Sequence, residues 1–201
     1  MAGSDGSLPG VCQLCLGGRA GLGECNMIAR AVACVLALAA LLALLGSVLH
    51  AQTVRTPPET SALAGQHPAE YFKRASGLFA GGRKDDAVFI FYLGQLRYRA
   101  HLSARRDLKP DGDPALFGSL SEVVGRPFNE YAFGDLQALV QIIDAVLAYD
   151  AANPDRFTPP AQFPNVYVGV RDGLAKMKAQ LLKDADQIRE TRRKSGLENR
   201  K

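Results

Sequence analysis

Seven consecutive apolar residues, Ala87 to Leu93, form the most hydrophobic stretch of the chain after its N-terminal quarter. Val88, Phe89, Ile90, Phe91 and Tyr92 are residue types enriched in strands, yet β-propensity mostly measures fit to a packed, half-buried surface. The wider pattern favours a helix. Phe89, Leu93, Leu96 and Ala100 recur at helical spacing, Asp85 and Asp86 precede the run as capping residues, and no neighbouring segment alternates with a period of two. An isolated strand has no partner and is not stable. Residues 85–102 are therefore predicted to be a helix that is apolar nearly all round, which places it centrally, packed on several sides.

The same pattern predicts the other elements. His67-Pro68 opens a helix carrying Tyr71, Phe72, Ala75, Leu78 and Phe79, which Gly81-Gly82 ends. Asp113-Pro114 starts another with Leu116, Phe117, Leu120 and Val123. Asp135 caps a further one with Leu139, Ile143, Val146 and Leu147. Residues 126–134 read as a loop between the last two. A long, one-faced helix is expected over residues 166–194, marked by Tyr167, Val170, Leu174, Met177, Leu181 and Ile188. The expectation is an all-α fold, a compact bundle of about five helices, as no segment carries the alternation of a half-buried strand.

Residues 68–101 resemble a single tetratricopeptide-type helical hairpin. Tyr71 stands at its aromatic place, Ala75 at its small one and Leu78 at its large one; Ala87 and Phe91 match A-x-x-x-F, and Gly94 takes the next small position. Arg74 departs from the pattern at a usual leucine place, and no proline closes the unit. The resemblance implies a protein-binding scaffold rather than an enzyme.

The N-terminal quarter is of another kind. Residues 31–49 contain no charge, follow Arg30, and lead to Leu49-His50-Ala51 before Gln52. Basic residue, apolar run and small residue describe a secretory signal, here residues 27–51 with Met27 as the start and Gln52 as the mature N-terminus. The length also suits a span, so an uncleaved signal anchor in the inner membrane is the competing expectation. Residues 1–26 have no period and read as a disordered extension or an over-extended reading frame. Residues 52–66, with Pro57-Pro58, read as a flexible tether, and residues 67–201 as the helical domain.

Composition narrows the chemistry. Cys12, Cys15, Cys25 and Cys34 all precede Ala51, so the expected mature part has no thiol or disulfide. Of 24 Lys plus Arg and 20 Asp plus Glu, two of each lie before Gln52, leaving a mild excess of four cations. The dense basic cluster, Arg189 to Lys201, suits the negative end of a helix dipole, and no nucleic-acid partner is expected. With His67 and His101 as its only histidines and no G-x-S-x-G or H-E-x-x-H, the mature part is expected to hold no metal or cofactor, because a metal site would be built mostly from carboxylates.

Candidate binding residues remain. Arg97 and His101 are four apart on one helix face, suited to recognising an anion or carboxylate, with Arg99 beside them. Asn129, Glu130, Tyr131 and Asp135 concentrate polar and aromatic types in the expected loop. Alternatively, Arg97 is satisfied internally by Glu70, Glu130 or Asp144; Asp144 sits among apolar residues and needs a partner. The expected function is an exported, periplasmic or secreted module that binds a protein or peptide in the cell envelope without catalysis, an inhibitor or immunity protein being one sub-case. The alternatives are a carboxylate-dependent envelope hydrolase and a signal-anchored scaffold, touching membrane only through residues 31–49.

Overall fold

A computed structural model describes residues 54–200. The expected extension, signal and cysteines lie outside them. The described residues contain helices and no strand. A 3-10 turn, Pro58–Leu63, is followed by α1 (Ala69–Ala80), α2 (Lys84–Ala104), α3 (Asp113–Val123), α4 (Gly125–Ala132), α5 (Leu136–Ala152), α6 (Pro164–Lys183) and α7 (Ala185–Lys194).

The apolar run Ala87–Leu93 lies in α2 and is buried throughout. α1, α3, α4, α5 and α6 all pack against α2, which is why it carries apolar residues on every side. α1 and α2 run antiparallel around a turn closed by Gly82 at φ +82°, where Arg83 N–H donates to Leu78 O (3.0 Å). Their axes approach closely: a Cβ on Gly94 would sit 2.5 Å from Tyr71 Cβ. Edge-to-face rings, Phe72 on Phe91 and Phe72 on Tyr98, fill the seam.

Asp85 and Asp86, expected as caps, lie inside the first turn of α2, and three further expectations about the helices change. There are seven α-helices rather than five among the described residues. Residues 126–134 are not a loop, since most of them form α4. Phe128 and Ala132 lie one turn apart on its buried face, and Phe128 stacks on Phe79 and meets Phe91. The helix expected over 166–194 breaks at Asp184 (φ −99°, ψ 14°) into α6 and α7. The break turns α7 so that Ile188 still packs on the core, near Asn129 and Phe133.

Part of the segment read as a tether is packed. Thr60 and Leu63 are buried, Leu63 O accepts from Tyr71 Oη (2.9 Å), Ala64 O accepts from Arg156 (3.0 Å), and Glu59 pairs with Arg83. So few apolar residues leave no period in the sequence. At the other end Gly196 (φ +70°) reverses the chain, and Arg200 N–H donates to Gly134 O (2.7 Å) while its guanidinium lies over Tyr131.

Candidate functional site

Two places gather the chemistry of the domain. The first is built on the arginines that end the apolar run. Arg97 is almost wholly buried (1% exposed) and spends its donors internally. Nε donates to Asp150 Oδ1 (3.2 Å), Nη1 to Tyr71 Oη (2.5 Å) and Nη2 to Asn153 O (2.7 Å). Asp150 is fully buried and also accepts from Arg171 Nε (2.8 Å). None of the expected partners is used. Glu70 pairs with Lys73, Glu130 with Arg126, and Asp144 with Lys178 on the surface.

Arg97 and His101 share a helix but not a target. His101 turns to Asp113 at the start of α3, with Nε2 2.9 Å from Oδ2. His67, just ahead of α1, brings its own Nε2 to 3.3 Å from Asp113 Oδ1. The two histidines of the described residues thus meet one carboxylate. Asp113 Oδ2 faces both rings. Burial would raise its carboxyl, but the histidine contacts outweigh that and hold it below the usual carboxylate range. His67 Nδ1 accepts from Ala69 N–H (3.2 Å), so in this arrangement the ring proton sits on Nε2 and is donated to Asp113. His101 Nδ1 meets Thr158 Oγ1 (3.3 Å), and Phe157 packs against both imidazoles.

The second place is an open groove of about 790 Å³ between α2, α3 and α6. Its floor is Leu96, Phe117, Val170 and Met177. On α6, Gly169 and Gly173 leave the wall smooth, with no atom within 4 Å of an added Cβ. Arg99 and Arg106 stand on its rim. Arg99 lies over Phe117 (5.2 Å), and neither arginine has a carboxylate partner among the described residues. No acidic side chain lines the groove.

The other residues singled out in the sequence make contacts within the fold. Asn129 Oδ1 accepts from Tyr92 Oη (3.0 Å), whose phenol burial pushes well up. Tyr131 Oη donates to Asp85 (2.9 Å), and its ring carries Lys84 and Arg200. Asp135 caps α5 by accepting from Ala138 N–H (3.0 Å). The sequence reading missed Asp150, Asp113 and His67. Asp150 had a usable signal: it extends the row Leu139, Ile143, Val146 on α5 by one turn, so its carboxylate had to be buried.

Comparison with protein-family models, curated proteins and solved structures found no match. Among the described residues no single helix is long and apolar enough to cross a membrane.

Proposed function

We propose that the chain is an exported module of the cell envelope that binds a protein or peptide through the groove between α2, α3 and α6. The observation that carries the reading is the pairing of an apolar floor with two arginines, Arg99 and Arg106, that have no carboxylate partner among the described residues. Arginines left without carboxylates beside an uncovered apolar surface suit a segment that is apolar on one face and acidic on the other. The resemblance of residues 68–101 to a tetratricopeptide-type hairpin supports the same class. An inhibitor or immunity protein remains one form such a module takes.

The test is site-specific photo-crosslinking in the producing cell, with a photoreactive residue in place of Gly169 and, as a control, of exposed Lys73. A discrete adduct at Gly169 alone, lost when Arg99→Glu and Arg106→Glu are combined, is the expected result. Equal adducts at both positions, or no effect of the charge reversal, would reject the groove. The mass of the exported protein decides between a free form beginning at Gln52 and an anchored scaffold retaining residues 27–51.

A second reading, a carboxylate-dependent hydrolase of envelope polymers, rests on Asp113 between the imidazoles of His67 and His101. Turnover of wall material that Asp113→Asn abolishes would favour it.

A further inference from the structure

The geometry points to a binding site for a divalent transition-metal ion of the zinc type, formed by His67 Nε2, His101 Nε2 and an Asp113 carboxylate oxygen. These three ligand atoms all lie within 4.8 Å of one another. Zinc bonds of about 2.0–2.1 Å in a tetrahedral site space neighbouring ligand atoms roughly 3.3 Å apart. His67 Nε2 stands 3.4 Å from Asp113 Oδ2, and His101 Nε2 2.9 Å from the same oxygen, so modest opening of the His101 side admits the ion.

The donors arrive on three separate elements: the residues ahead of α1, the last turn of α2, and the first residue of α3. Two imidazoles and one carboxylate select borderline cations over magnesium or calcium, which prefer oxygen alone. His101 is buried and has the outer partner that ligating histidines need: Thr158 Oγ1 lies 3.3 Å from its Nδ1, and Thr158 is itself held by Asp155 and Tyr167. His67 and Asp113 are only partly buried, leaving a side open for entry and for a fourth ligand.

One contact opposes the ion. Binding at His67 Nε2 moves the ring proton to Nδ1, where it faces the Ala69 N–H that Nδ1 now caps. Losing one such cap weakens affinity roughly fivefold, which a three-ligand site tolerates. The inference is independent of the groove, which lies between other side chains.

Isothermal titration of ZnCl₂ into the full chain is the test, without an affinity tag and with Cys12, Cys15, Cys25 and Cys34 changed to Ser, so that thiolates do not compete. The expected result is one zinc per chain and a melting temperature that rises with zinc but not with magnesium. His101→Ala and Asp113→Asn should each weaken binding at least tenfold. The nearly isosteric Asp113→Asn, checked by circular dichroism, serves if His101→Ala does not fold. Absence of zinc binding by the parent chain, or affinity unchanged in a folded Asp113→Asn variant, would overturn the site.

Discussion

Replacing Arg97 by alanine strikes the centre of the domain. The change removes three hydrogen bonds at once, to Asp150, Tyr71 and the Asn153 carbonyl, none of which water can readily replace at 1% exposure. Breaking a buried ion pair by deleting one partner costs about 3–5 kcal/mol, because the surviving charge stays out of water. Here Asp150 keeps Arg171, so Arg97→Ala belongs near the lower end, about 3 kcal/mol. Asp150→Ala belongs near the upper end, since it leaves Arg97 without its ion-pair partner; Arg171 is 30% exposed and can turn to solvent. A domain of this size shifts its melting temperature by roughly 2–4 °C per kcal/mol, so the two variants should fall by roughly 6 to 20 °C. Thermal melts followed by circular dichroism give the shift, and urea titration gives the free energy. A double-mutant cycle on Arg97 and Asp150 should show a favourable coupling, the double variant losing less than the sum of the singles. The reasoning fails if Arg97→Ala melts within about 2 °C of the parent. Loss of partner binding in such a stable variant would make Arg97 a ligand-facing residue after all.

Phe89→Ala should destabilise the domain by about 3–5 kcal/mol in urea titration, since it empties a fully buried site where α2 meets Tyr149 of α5. Gly94→Ala should cost about 1–3 kcal/mol, because the new methyl meets Tyr71 Cβ and pushes the ring that holds Arg97. The hydrogen bonds from Arg83 hold the Glu59 carboxyl below its ordinary range. A depressed folded value means stabilisation that is present above the unfolded value and lost as pH falls through the folded one. Between about pH 7 and about pH 3 the parent should therefore lose more stability than Glu59→Gln, and parallel pH profiles would show that the pair does not anchor the 3-10 turn.

Fold class and the central helix were legible in the residues. Spacings of three and four marked most of the helices, and the run Ala87–Leu93 announced α2, because a helix packed on all sides must be apolar on all sides. α4 is not legible: its Gly125 and Pro127 and the nearby Gly134 look like turn residues, and only packing of Phe128 on Phe79 and Phe91 makes it a helix. The break at Asp184 left no mark either, as the apolar row runs through it from Leu181 to Ile188. Asp144 reads as a buried carboxylate because its sequence neighbours are apolar, yet it falls on the exposed face of α5, paired with Lys178. Periodicity identifies which face of a helix is buried; it does not say which charges meet across helices. The meeting of Arg97 with Asp150 spans 53 residues, and that of His67 with Asp113 spans 46. Such pairs depend on how α1, α2, α3 and α5 cross, and only tertiary packing decides that, because each side chain alone satisfies the local pattern equally well with water as its partner.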